Sequence, residues 1–232
     1  MRKLLALFLF VFSTYVLSQT SSSAPKAAPR RPATSATSVR PVAIIDTTAG
    51  KLTCTLFPER APIGVANFIG LSRGTKEWTN PKTGQKMHGV PLYNGTIFHR
   101  VIPNFMIQGG DPLGNGMGDP GYKFKNETSP DLLFDRPGRL AYANAGPDTN
   151  GSQFFITEVA YPSLNGGYTI FGQCDDPSVE IVKEIARMPR NMSNDRPDDP
   201  VKINKITILH AGGTTHAPVH HPLKPAAPKT TS

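Results

Sequence analysis

The sequence predicts a mainly β fold, a barrel or sandwich with two helices covering its openings. Three observations predict it. The chain holds 23 Pro and 21 Gly among 232 residues, which disfavours a helical bundle because Pro breaks helices and Gly weakens them. Between residues 41 and 210, short apolar runs alternate with turn clusters, the pattern of many short strands. In that stretch, two segments carry helical spacing with start and stop signals.

Taken in order, Pro41–Thr48 and Lys51–Phe57 are β-like runs joined at Ala49-Gly50, a hairpin. Ala61–Gly74 reads as a helix. Pro62 sits at its start, Val65, Phe68, Ile69 and Ser72 share a face, and Gly74 ends it. Lys76–Leu92, with Trp78, Pro81, Gly84 and Pro91, reads as a long loop. Thr96–Ile102, Phe105–Gln108, Arg139–Tyr142, Gln153–Thr157 and Thr169–Cys174 are further strands. Pro177–Met188 is the second helix, with Asp176 as N-cap and Pro189 at its stop. Val201–Leu209 closes the body as a strand.

The body is flanked by segments of different composition. Residues 1–18 read as a secretory signal: Arg2 and Lys3, then an unbroken apolar run Leu4–Phe12, then Val16-Leu17-Ser18 before a cut at Gln19. This places the protein outside the cytoplasm, secreted or periplasmic, with no stable membrane insertion after cleavage. An uncleaved anchor is the alternative. Residues 19–40 are rich in Ser, Ala, Pro and Arg and read as a disordered linker. Residues 211–232 form a similar tail with His216, His220 and His221. Three His without Cys do not make a specific metal site. The folded domain is therefore expected at 41–210.

The net charge of +8 first suggests nucleic acid. Its distribution removes the suggestion. Residues 41–210 hold 17 basic side chains and all 17 acidic ones, so the body is formally neutral and the excess sits in the extensions. No nucleic-acid partner is expected. Gly114-Asn115-Gly116-Met117-Gly118 runs into Asp119-Pro120-Gly121, which is turn chemistry rather than a phosphate cradle before a helix. His99, Asp111 and Ser152 could be imagined as a triad, but Asn150-Gly151-Ser152-Gln153-Phe154 lacks the second glycine of a nucleophile elbow. Cys54 and Cys174 are the two cysteines. A secreted protein permits their pairing, and buried thiols in strands are equally ordinary; sequence leaves both open.

Two segments are the most informative. One is Phe98-His99-Arg100-Val101-Ile102-Pro103-Asn104-Phe105-Met106-Ile107-Gln108-Gly109-Gly110-Asp111. The other is Ala143-Asn144-Ala145-Gly146-Pro147-Asp148-Thr149-Asn150-Gly151-Ser152-Gln153-Phe154-Phe155-Ile156. In the first, Arg100 and Ile102 share one strand face and His99 and Val101 the other. A guanidinium among Phe98, Phe105 and Met106 is either a solvated rim or a donor aimed into an apolar pocket.

Both segments closely resemble the signatures of the cyclophilin family of peptidyl-prolyl cis/trans isomerases, and the resemblance spans Val42 to Leu209. It implies an eight-stranded antiparallel closed β-barrel capped by two α-helices, with a substrate groove on its outer face. It implies Arg100 as the catalytic residue. It implies His99, Phe105, Met106, Gln108, Ala143, Asn144, Gln153, Phe155, Leu164 and Tyr168 as substrate-binding residues. The partners it implies are proline-containing polypeptides, unfolded or flexible, bound by a monomer. No metal or cofactor is implied, because rotation about an Xaa-Pro bond breaks no bond.

The segment Ser163–Gly172 departs from the family's pattern. Ser163 stands where many members carry Trp, and Tyr168 where many carry His. Tyr keeps an aromatic wall with a polar tip. Ser163 removes an indole that the family's inhibitor cyclosporin uses, so weakened cyclosporin binding with retained catalysis is expected. The Lys76–Leu92 stretch is expected to lie near the groove, either packing on the barrel or tuning substrate choice. Two other functions remain alternatives: a catalytically weak proline-peptide binding module, and an extracytoplasmic scaffold.

Overall fold

The computed structural model describes residues 40–209. The expected signal, the linker up to residue 39 and the tail lie outside the described residues. Ten strands and two α-helices make up the fold. They are β1 (Val42–Thr47), β2 (Gly50–Leu56), α1 (Pro62–Arg73), β3 (Trp78–Thr79), β4 (Lys86–Met87), β5 (Arg100–Ile102) and β6 (Met106–Gly109). β7 (Arg139–Tyr142), β8 (Phe154–Thr157), a 3-10 turn (Pro162–Leu164), β9 (Ile170–Cys174), α2 (Asp176–Ala186) and β10 (Ile203–Leu209) follow.

Eight strands form one curled antiparallel sheet, a half-barrel, in the order β10-β1-β2-β9-β7-β8-β6-β5. Its edge strands β10 and β5 are not joined along a ladder. Residues just before them meet at an isolated bridge between Ile97 and Lys202, where Phe98 N–H donates to Val201 O at 2.9 Å. That use of residues 96–98 is why β5 starts at Arg100 rather than at Thr96 as expected.

Alternation builds the core. In β1, Ala43 and Ile45 turn inward, and in β2 Leu52, Cys54 and Leu56 do. The β1–β2 turn falls at Thr48-Ala49, one residue earlier than expected, with Thr47 paired to Gly50. The Thr47 hydroxyl fixes it by donating to Gly50 O and accepting from Ala49 N–H. Cys54 lies opposite Cys174 in the β2–β9 register, and the two form a disulfide. Sequence could not decide this because 120 positions separate them.

α1 lays Val65, Phe68 and Leu71 on the core. Ala61 gives it no side-chain cap; instead the Glu127 carboxylate accepts from the N–H groups of Ile63 and Gly64 at 2.9 and 2.7 Å. α2 is capped by Asp175, which accepts from Ser178 N–H, so the cap lies one residue before the expected Asp176. It ends at Ala186. The Lys76–Leu92 stretch is not a bare loop. β3 and β4 pair within it, Trp78 is buried, and the indole N–H donates to Val90 O. Thr79 N–H donates to Pro120 O, which ties the hairpin to the loop beyond β6. No helix among the described residues is long and apolar enough to cross a membrane.

Candidate active site

The outer face of the sheet carries a second apolar cluster of Met106, Phe134, Ala141, Phe155 and Ile170. Strand period explains it. Ile107, Leu140, Tyr142, Phe154 and Ile156 point into the main core, so Met106, Ala141 and Phe155 point out. β7 and β8 are consequently buried on both faces. Register then lines the residues up: Arg100 lies opposite Gln108, Gln108 opposite Phe155, and Phe155 opposite Ala141. Four strands deliver one row across the outer face.

Beside this row is a cavity of about 110 Å³. Arg100, Phe105, Met106, Gln108, Ala143, Asn144, Phe155, Leu164 and Tyr168 line it. Met106 and Phe155 are almost fully buried and form a floor. Phe134 stacks behind Phe155 at 5.8 Å between centroids, and Tyr168 meets Phe155 edge-on at 5.5 Å. Phe105 follows a tight turn in which Asn104 adopts φ 57°. The buried Glu158 carboxylate accepts from Asn104 N–H at 2.8 Å and pairs with Arg187, which fixes that turn. The Phe105 ring packs on Tyr161 at 4.4 Å.

The polar side is a chain of side chains with one consistent direction. Arg100 Nη1 donates to Gln108 Oε1 at 3.4 Å. Gln108 Nε2 donates to Gln153 Oε1 at 3.0 Å. Gln153 Nε2 donates to the carbonyls of Gly116 and Gly118 at 3.0 and 2.9 Å. Because an amide has one donor end and one acceptor end, each glutamine is fixed in orientation by its neighbours. Gln153, Gln108, Ala143 and Asn144 also border an adjoining hollow of about 280 Å³. Asn144 Nδ2 donates to Gly167 O at 3.0 Å.

The family model of the "Cyclophilin type peptidyl-prolyl cis-trans isomerase/CLD" matches residues 42–208. The chain belongs to the cyclophilin family. A relative from Mycobacterium tuberculosis named "Peptidyl-prolyl cis-trans isomerase A" is 51% identical over 166 residues, covering 72% of this chain and 91% of the relative. One from Streptomyces anulatus, "Peptidyl-prolyl cis-trans isomerase B", is 49% identical over 167 residues, covering 72% and 95%. A Cryptosporidium parvum cyclophilin type peptidyl-prolyl cis-trans isomerase, solved in the presence of dipeptide ala-pro, superposes with a TM-score of 0.61 at 38% identity. That match covers 72% of this chain and 98% of the other.

In this cyclophilin, two residues grouped with the site by sequence lie outside the cavity lining. Gln153 stands one link away, through Gln108. His99 is buried on the other side of β5 from Arg100, near Gly116. Phe134, Ala141, Ile170 and Tyr161 support the site without having been singled out. The signal for Phe134 was the apolar triplet Leu132-Leu133-Phe134, which has no strand period to read.

Ser163 is exposed in the 3-10 turn and takes no part in the cavity lining. The imagined triad does not form: Ser152 Oγ donates to Gly110 O, and Asp111 accepts from the N–H groups of Leu113, Asn115 and Gly116. That wrapping accounts for the glycine-rich run. A Cβ at Gly118 would sit 1.9 Å from Asp111 Oδ1, so the loop closes on the carboxylate only with glycine there. The Lys76–Leu92 hairpin reaches Pro120 and Gly121 but not the cavity of Arg100, and its buried Trp78 marks a packing role.

Proposed function

We propose that this cyclophilin is a peptidyl-prolyl cis-trans isomerase working outside the cytoplasm, with Arg100 as its catalytic residue. The observation that carries the reading is the single row in which a half-exposed guanidinium, an oriented glutamine and an aromatic floor border one small apolar cavity.

The Xaa-Pro bond resists rotation because resonance gives it partial double-bond character, with a barrier of about 18–20 kcal/mol. In the twisted state the proline nitrogen regains a lone pair. Arg100 donates a hydrogen bond to that lone pair, which favours the twisted state over both planar ones. Arg remains protonated at any ordinary pH, so the donor is always present. The proline ring rests on Met106 and Phe155 between Phe105, Leu164 and Tyr168, while the preceding carbonyl turns. Gln108, Asn144 and Gln153 hold the substrate backbone, with Ala143 beside them. A cavity of about 110 Å³ takes one compact apolar group. The rest of the substrate is met through its backbone, so many proline-containing segments qualify.

The Cys54–Cys174 disulfide supports an oxidising compartment and agrees with the signal reading of residues 1–18. We take 41–210 as the catalytic domain, acting as a monomer, between the linker at 19–40 and the tail at 211–232. The bridge at Ile97 and Lys202 supports reading the curled sheet as a closed barrel.

The test is NMR exchange on an Ala-Pro peptide with the full chain, repeated with cyclosporin. The expected result is accelerated exchange, inhibited more weakly by cyclosporin than in a homologue carrying Trp in place of Ser163. Peptide binding without acceleration would make the protein a binding module instead. Inhibition as strong as in the Trp-bearing homologue would refute the role given to Ser163.

A further inference from the structure

One charged side chain touches Arg100 from outside both sequence motifs. Asp195 lies in the loop between α2 and β10, with its backbone in the left-handed region at φ 56°. Its N–H donates to Asn191 O at 2.8 Å, which closes the turn that places it. Its carbonyl accepts from Val101 N–H at 2.9 Å, so the loop is bonded to the strand residue next to Arg100. Its carboxylate reaches back to the same strand: Oδ2 lies 3.7 Å from Arg100 Nε. The other oxygen, Oδ1, accepts from Arg190 Nε at 3.2 Å, so both carboxylate oxygens have a cationic partner.

The Arg100 guanidinium therefore has a partner on each of two edges. Asp195 faces Nε, and Gln108 Oε1 accepts from Nη1 at 3.4 Å. This matters because Arg is long and rotamer-rich. An unrestrained guanidinium would lose that freedom anew in each transition state, which slows the step it serves.

We infer that Asp195 is a positioning residue for the isomerisation, clamping the Nε edge of Arg100 so that its remaining donors face the proline cavity. The inference rests on Arg100 being the catalytic residue. It assigns the loop after α2 a part in the reaction that neither sequence motif contains. The Asp195 side chain pairs with Arg100 and Arg190, and of these two only Arg100 lines the cavity, so the effect of the carboxylate runs through that side chain.

The experiment measures kcat and KM separately, by NMR exchange on an Ala-Pro peptide, for the full chain and for Asp195→Asn, Asp195→Glu, Arg100→Lys and the double variant Asp195→Asn with Arg100→Lys. Asn accepts left-handed backbone and keeps an acceptor oxygen, so the substitution removes the charge and leaves the turn. The expected result is a kcat lowered about three- to tenfold in Asp195→Asn, with KM within about twofold, because the lost interaction serves the transition state. Asp195→Glu recovers part of that loss. Adding Asp195→Asn to Arg100→Lys costs less than it does alone, since Lys has no Nε edge to clamp. A further readout is the Arg100 Nε–H resonance, which shifts in Asp195→Asn while the sheet amides hold still.

An unchanged kcat in Asp195→Asn would overturn the proposal. So would an equal loss in the Arg100→Lys background, which would mean that Asp195 acts through loop stability alone. Full activity in Arg100→Ala would instead remove the catalytic reading of Arg100 itself, a separate result from either of these.

Discussion

His99 carries its imidazole away from the cavity at 5% exposure. Burial depresses its pKa below the ordinary 6.5, a shift that nearby Asp111 partly opposes. The unfolded chain therefore takes up a proton that the native state refuses. Stability is present in full above about pH 6.5 and is lost as pH falls from there toward the native pKa. Urea melts of the full chain at stepped pH should show this decline, and His99→Gln should flatten it. An identical slope in the variant would contradict the assignment. The neighbouring letters His99-Arg100 look like one functional unit in the sequence. The two-residue period of a strand separates them, one to each face, and that period was already readable in the motif. Asp195 was not readable, because a turn acid far along the chain carries no local mark of the strand it will meet.

At the scale of elements, the eight main strands were legible because each alternates or is continuously apolar between turn residues. β3 and β4 were not, since two-residue strands amid Pro, Lys and Gly leave no period to detect. β7 and β8 show why the site forms where it does. Their inward residues build the main core and their outward residues build the cavity floor, so both alternating sets are apolar. The β2–β9 pair adds a covalent tie at Cys54 and Cys174, in the main core and outside the cavity lining. A native disulfide typically stabilises by about 2–4 kcal/mol. Protein recovered from outside the cytoplasm should resist thiol alkylation until it is reduced. The Cys54→Ser, Cys174→Ser double variant should then melt earlier, with unfolding free energy lower by about that amount, while retaining isomerase activity at low temperature. Free thiols in such material, or an unchanged melt, would contradict the pairing and the compartment it supports.

Across the whole molecule, charge and function are separated. The excess of positive charge lies in the extensions, and the body is balanced. Within the body, one apolar cluster holds the fold and a second, on the outer face, forms the site. The catalytic proposal needs the second cluster to exclude water around a single guanidinium, which strengthens its hydrogen bond to the turning amide. Most of that site was legible because its residues fall in two contiguous motifs. Phe134 and Asp195 come from elsewhere in the chain and are brought in by the fold. The role of Arg100 is tested by comparing kcat/KM for Xaa-Pro exchange in the full chain and in Arg100→Ala, with melts showing that both are folded. A fall of about tenfold or more is expected in Arg100→Ala, the order seen when a transition-state donor is removed. Equal rates in a folded variant would contradict it.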